Sequence, residues 1–444
     1  MLKNWMLSKM ADPLVDDAME KMLTAKYADN PFVLITAMEK LTPAAIIEAG
    51  MRAETGKALD RPLGSPVNFD PWEKVLLNPK QLFQLPSEDP NQINTQTVIG
   101  PQAGKPLNLD IPIMITGMSY GASVSLPFKV ALAKGASQAG TATNTGESAV
   151  TDEERKAAKY LIGQYNRGGW LNNPEQLKQV DAIEIQFGQS AWGGGVTETI
   201  KSDKIGSELR KLWNIEKGQD AVIQSRMPGT ASAEDIINLI NGIKTDYDVP
   251  VGVKIAGSDY IEYELEVISK TEADFIVIDG FGGGTAGATV TLEDNLGLPL
   301  LYCLPRAIQW LEDNNLRDRF TVIASGRMKT PGHFLKAMAL GADAVYIGSI
   351  AIMAALHTQV VEAAPQTTPP QLILYDGSLK DKLNVDLAAK SLANFLQSCI
   401  AEMQLAAQSL GKNALQELNG DDLVSVDRDI AEALGIRYAG TPRR

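Results

Sequence analysis

The chain has 444 residues, 44% apolar and 6% aromatic, with 41 Lys and Arg against 54 Asp and Glu for a formal net charge of −13. That acidity argues against a nucleic-acid binder, because phosphate contacts need a basic face, although it leaves room for a local basic pocket that holds one phosphate. The only cysteines, Cys303 and Cys399, and the only histidines, His333 and His357, exclude a disulfide scaffold, a Cys-only zinc site and an iron–sulfur cluster held by three or four cysteines of this chain. The chemistry is therefore expected to rest on a borrowed cofactor. The first ten residues show no signal-peptide pattern and no stretch is apolar enough to span a bilayer, so a cytoplasmic location is expected.

Residues 1–60 read as helices, with Leu14, Val15, Met19 and Met22, then Ile35, Met38, Leu41, Ile46 and Ile47, near helical spacing. Residues 61–110 are richer in Pro, Asn and Gln and read as an extended lead-in, anchored by Trp72, Phe83, Val98 and Ile99. Beyond them, short apolar runs recur at 111–116, 141–145, 182–187, 221–225, 249–255, 274–278, 320–324 and 342–348, with helical patterns at 126–138, 232–244, 302–314 and 331–340. Near-continuously apolar strands belong in a parallel sheet covered on both faces. Eight such βα units predict an α/β fold, a TIM (β/α)8 barrel; an open, doubly wound sheet is the alternative. In the tail, Leu387, Leu392, Phe395, Leu396, Ile400 and Met403 form an apolar stripe for packing on the barrel's outside, ended by Gly411. The expected division is a lead-in over 1–110, the barrel over 111–357 and a helical extension over 358–444.

A TIM barrel carries its active site at the C-terminal ends of its strands. The residues there are small, polar and glycine-rich, and neither histidine is among them, so no Ser/His/Asp set is available. Ser325-Gly326-Arg327 and Gly348-Ser349 each precede a helix, where backbone N–H groups and the helix dipole favour an anion; together they predict a phosphate site. Lys254 interrupts the apolar run at 249–255 and needs an anionic partner or a depressed pKa. Schiff-base chemistry and charge stabilisation of a flavin are both open for it.

Asn68-Phe-Asp70, Val98-Ile-Gly-Pro101, Gly117-Met-Ser-Tyr-Gly121, Asn144-Thr-Gly-Glu147, Ile183-Glu-Ile-Gln186, Val253-Lys254, Gly283-Gly-Thr285, Ser325-Gly326 and Leu340-Gly-Ala-Asp343 occur in one order along the chain. In that order they resemble the FMN-binding synthase domain of glutamate synthase, over roughly residues 68–440, and its short stand-alone members in particular. The resemblance implies FMN across the barrel mouth. Met118, Ser119, Asn144 and Thr145 would meet the isoalloxazine, Gln186 and Lys254 its pyrimidine end, and Ser325, Gly326, Arg327, Gly348 and Ser349 the phosphate. Lys254, Gln186 and Ser119 would then stand at the reacting flavin, with Gln189, Trp192, Gly283, Gly284 and Thr285 on the substrate side. The implied activity is FMN-dependent oxidoreduction, a hydride passing between flavin N5 and an imino or keto acid. A non-catalytic FMN- or phosphate-binding barrel, serving as a regulatory or scaffold subunit, is the alternative.

The departures from the family pattern bear on substrate and wiring. Trp192 stands where the family has a lysine, and Trp213 where an arginine is expected, which removes the charge-assisted hydrogen bonds of dicarboxylate recognition. The chain is therefore not expected to share 2-oxoglutarate/glutamate specificity, and a less polar or aromatic-stacked substrate would suit the two indoles. Gly282 replaces an acid, Met227-Pro-Gly229 a His-His pair, and 354–362 the family's cysteine cluster. Without that cluster, electrons would come from a separate donor protein or a diffusible reductant.

Overall fold

The computed structural model describes residues 15–26, 29–30, 38–61, 63–190, 192–193, 195–285, 288–363 and 367–443. It divides into two units, Met1–Asp60 and Arg61–Arg444. In the first, residues 15–24 are helical and so is Pro43–Thr55, whose N-terminus is capped by the Thr42 side chain and whose end turns at Gly56 in the left-handed region. Of the apolar positions expected there, Leu14 and Ile35 lie outside the described residues.

The second unit is built on eight strands: β1 Ile113–Ile115, β2 Ala142–Asn144, β3 Tyr160–Tyr165, β4 Ala182–Gln186, β5 Val251–Ala256, β6 Phe275–Asp279, β7 Thr321–Ser325 and β8 Ala344–Ile347. They form one parallel sheet in which each strand from β2 to β8 pairs with the next and β8 pairs with β1. This is the expected TIM barrel, nearly closed between β1 and β2.

Seven of the eight expected runs are barrel strands; one is not, and one barrel strand was not expected, so the count of eight stands. Residues 221–225 are not a barrel strand: Ala221–Ile223 pairs antiparallel with Glu198–Ile200. That hairpin belongs to a long excursion between β4 and β5, and it is apolar because Ala221 and Ile223 pack on Leu209, Trp170 and Trp213. The third barrel strand is instead Tyr160–Tyr165, which follows the charged helix Asp152–Ala157 with no glycine or proline between them. Its mixture of tyrosine, glycine and glutamine reads poorly as a buried strand until the partners on both sides are known. The turn at Gly188–Gly195 therefore follows β4, and Arg226–Gly229 follows no barrel strand at all.

Strand alternation sets the interior. Met114, Ala142, Ile162, Ala182, Phe275, Val277, Ile323, Ala344 and Tyr346 form one cluster with Ile99, Leu107 and Leu109. The latter three come from the hairpin Thr97–Ile99/Leu107–Leu109, which plugs the end where the strands begin. Outside, helix Val385–Ser409 buries Leu392, Leu396, Ile400 and Met403 as expected, although Leu387 is exposed. Gly135 lets this helix close on helix Leu126–Gln138, since a Cβ there would stand 3.0 Å from the Ala389 carbonyl oxygen. Val75–Leu77 pairs with Leu423–Ser425, fastening lead-in to tail. Among the expected anchors Trp72 and Ile99 are buried, whereas Phe83 is 82% exposed and Val98 points outward from its hairpin.

Candidate active site at the barrel mouth

A cavity of about 370 Å³ opens at the C-terminal ends of the strands, within the range of about 300–1,000 Å³ usual for small-molecule sites. Among the described residues it is lined by Met118, Ser119, Gln189, Lys254, Gly283, Gly284, Thr285, Ser325, Gly326, Arg327, Gly348 and Ser349. The same alternation that fills the interior with apolar groups aims Gln164, Glu184, Lys254, Asp279 and Tyr346 inward near the strand ends.

Lys254 has the anionic partner its position demands. Its Nζ lies 3.2 Å from Asp279 Oδ2 and 3.5 Å from Thr116 Oγ1, with the side chain 3% exposed. Burial pulls its pKa down, but Asp279, Glu184 and Glu147 outweigh that and hold it above the ordinary lysine value. The ammonium is thus charged, which removes the depressed-pKa route to a Schiff-base nucleophile.

Three expected site residues stand behind the cavity wall. Asn144 Nδ2 donates to Glu184 Oε1 at 3.1 Å and to the Tyr346 hydroxyl at 3.3 Å, while its Oδ1 accepts from the Gly146 N–H at 2.9 Å. Thr145 Oγ1 accepts from the Gln164 N–H at 3.0 Å. Gln186 Nε2 donates to Gln189 Oε1 at 2.8 Å, so it reaches the cavity through Gln189.

The two indoles expected near the substrate are elsewhere. Trp192 is buried with Ala288, Val196 and Leu292, its ring 5.1 Å from the Arg167 guanidinium carbon. Trp213 stacks on Trp170 at 3.9 Å and donates from Nε1 to Ser148 Oγ at 3.0 Å. Neither lines the cavity. Both pack the excursion after β4, whose apolar floor needs large side chains.

Several polar groups escaped the sequence reading. Gln164, on β3, donates from Nε2 to Glu184 Oε1 at 2.7 Å. Arg167, just past β3, is 1% exposed; it lies 3.5 Å from Glu147 Oε1 and donates to the Val196 and Gln224 carbonyls at 3.2 and 2.8 Å. The period-two repeat of Ile162, Gln164 and Asn166 was the available signal, masked by the missed strand. Glu147 and Glu198 compete for this one guanidinium. Burial raises the Glu147 carboxyl despite Arg167 and Lys254. Burial and repulsion from Glu147 push Glu198 up to about 7, with Arg167 offsetting part. A carboxyl raised in the folded state stabilises at low pH and loses that contribution as pH rises through its folded value. Glu198→Gln, neutral at every pH, should therefore flatten the fall in stability between about pH 5 and 8; urea titrations across that range measure it.

At the phosphate-type turns, Gly326 has φ +130, and a Cβ there would meet the Gly280 backbone at 2.9 Å. Gly348 leads into helix Ser349–Leu356, presenting that helix's free N–H groups. Arg327 lies across Gly282, where a Cβ would collide with its Cδ, and its buried NH1 has no hydrogen-bond partner among the described residues. A guanidinium with this open NH1, whose charge offsets part of the burial-driven rise of the Asp70 carboxyl, stands beside two glycine turns and fits an anionic group.

Residues 71–413 match the family model described as the conserved region in glutamate synthase. The chain belongs to the glutamate synthase family. It is 34% identical over 369 residues to the glutamate synthase large subunit-like protein of Rhizobium meliloti, covering 78% of this chain and 82% of that protein. It is 32% identical over 360 residues to the archaeal glutamate synthase [NADPH] of Archaeoglobus fulgidus, covering 80% and 69%. With the archaeal-type glutamate synthase [NADPH] of Thermotoga neapolitana it shares 30% over 427 residues, covering 90% and 84%. As a member of this family it is an oxidoreductase. Among solved structures, a flavocytochrome b2 double variant with sulfite bound matches at TM-score 0.51 and 18% identity, over 84% of this chain and 80% of that one, a likeness of fold. Among the described residues of this family member, no helix is long and apolar enough to cross a membrane.

Proposed function

We propose that this glutamate synthase family member is an FMN-dependent oxidoreductase that acts on an imino or keto acid at the barrel mouth. The observation that carries the reading is a single cavity with the Lys254–Asp279 pair at the barrel axis and the two glycine turns, with Arg327, on its wall. The donor set fits FMN. Backbone N–H groups around Gly326 and Gly348, Ser349 and the Arg327 guanidinium suit the phosphate, and a charged lysine suits a flavin that carries negative charge when reduced. When bound, FMN supplies hydride chemistry at N5.

The chain's own part is to bind, orient and exclude water. Lys254 holds positive charge beside the cofactor. Met118 and Ser119 line the wall, and the Ser119 hydroxyl accepts from the Glu147 N–H at 3.0 Å, locking the turn after β1 to the turn after β2. Asn144 acts through Glu184 and Tyr346, Thr145 through Gln164, and Gln186 through Gln189. Gln189, Gly283, Gly284 and Thr285 form the substrate side, a polar wall in place of the aromatic one that Trp192 and Trp213 would have made. Electrons come from a separate donor protein or a diffusible reductant, with no iron–sulfur cluster in this chain.

The purified protein should be yellow, or take up added FMN with quenching of flavin fluorescence. Once reduced, its flavin should be reoxidised by some members of a panel of imino and keto acids and not by buffer alone under anaerobic conditions. A colourless chain that takes up no FMN would sink the proposal; one that binds FMN but turns over nothing would leave the binding-barrel reading.

A further inference from the structure

Asp279 closes β6, and its Oδ2 serves two groups at once. It lies 3.2 Å from Lys254 Nζ and accepts from the Ser190 N–H at 3.3 Å. Ser190 is buried and adjoins Gln189 on the cavity wall. This turn has little slack. A Cβ on Gly188 would stand 2.5 Å from the Gly193 carbonyl oxygen, and one on Gly283 would stand 2.0 Å from Ser190 Oγ. We infer that Asp279 is a positioning residue that ties the cofactor-side lysine of β5 to the substrate-side turn after β4, so that the two walls keep one geometry. The inference rests on the FMN reading for what Lys254 faces, but the tie itself is a property of this chain.

The groups around Lys254 decide what removing the tie does. Asp279 faces it from β6, Glu184 from β4, Glu147 from the turn after β2 and the Thr116 hydroxyl from β1. Tyr346 of β8 faces Glu184, and Arg167 past β3 draws on Glu147. Among the described residues only Asp279 is within ion-pair distance of Lys254. Asp279→Asn preserves shape and an acceptor oxygen for the Ser190 N–H while deleting the charge. Asp279→Ala deletes both.

Two readouts separate the halves of the tie. In the Asp279→Asn holoenzyme, the flavin midpoint potential plotted against pH should gain a break where Lys254 discharges. That break should be absent from wild type between pH 6 and 9, absent from the Asp279→Asn/Lys254→Met double variant, and removed again by Asp279→Glu. For the turn, hydrogen exchange across 188–195 should rise about tenfold in Asp279→Ala, the cost of about one backbone hydrogen bond, and stay within about twofold in Asp279→Asn. A potential–pH curve that overlays wild type, or unchanged exchange in Asp279→Ala, overturns the inference. If Asp279→Asn is too unstable to purify, the double variant must regain most of the lost stability, and no recovery equally overturns it. Should the wild type bind no FMN, the function reading fails, while the exchange measurement, which needs no flavin, still decides the tie.

Discussion

Lys254→Met should destabilise the second unit by on the order of 3–5 kcal/mol, the usual cost of removing one partner of a buried ion pair. The side chains of Lys254 and Asp279 are 3% and 9% exposed, so water does not screen what is left behind. Methionine fills much of the lysine's volume, and the loss is therefore electrostatic: Asp279, Glu184 and Glu147 would face one another, with Arg167 countering the charge of Glu147. Urea unfolding with the flavin content held fixed measures the deficit. Its pH dependence carries the sign. Carboxylates left without a cation have raised pKa values, which stabilise below the ordinary carboxylate range and fail as pH rises. The gap to wild type should accordingly shrink from pH 8 to pH 5. A variant as stable as wild type at pH 8 would contradict the charge balance of the cavity floor.

Lys129→Met should cost a similar amount, again about 3–5 kcal/mol, from a pair outside the described lining of the cavity. Lys129 and Glu154 are 0% and 1% exposed and 2.8 Å apart, and the same Nζ donates to the Asn144 carbonyl at 2.7 Å. Burial already raises the Glu154 carboxyl, with Lys129 as the main counterweight. Without the lysine, Glu154 must hold a proton to stay buried, so the deficit should grow as pH rises and fade in acid. Lys129→Met/Glu154→Met removes both charges and should recover most of the stability, because well-packed apolar replacements of buried pairs are often neutral. Comparing the single and double variants by denaturant titration tests this. Failure of the double variant to recover would mean that the hydrogen bond to Asn144, and not the charge, carries the cost.

How much of the site was legible varied with the kind of signal. Lys254 stood out because a charge inside an apolar strand has to be paired, and the structure supplies Asp279. Ser325-Gly326-Arg327 and Gly348-Ser349 were legible because glycine at a strand-to-helix turn is a local requirement; both turns line the cavity. Trp192 and Trp213 misled for a complementary reason. An indole's type tells that it will be buried, but not against what, and the excursion after β4 claimed both. Gln164 and Arg167 were missed because Tyr160–Tyr165 lacks the continuous apolar run of its neighbours.

By itself the sequence determined the eightfold α/β architecture, the turns at β7 and β8, the buried lysine and the family. Each depends on local patterning: periodicity, glycine at a turn, or charge among apolar neighbours. Only the tertiary structure decided which eight segments are the strands and which acids compensate Lys254. It also decided which motif residues reach the cavity and which stand behind it. Those outcomes depend on contacts between residues far apart in the chain, as between Asp279 of β6, Lys254 of β5 and Ser190 after β4. Burial and partner distance set the energetics there, and neither is written in any one stretch of sequence.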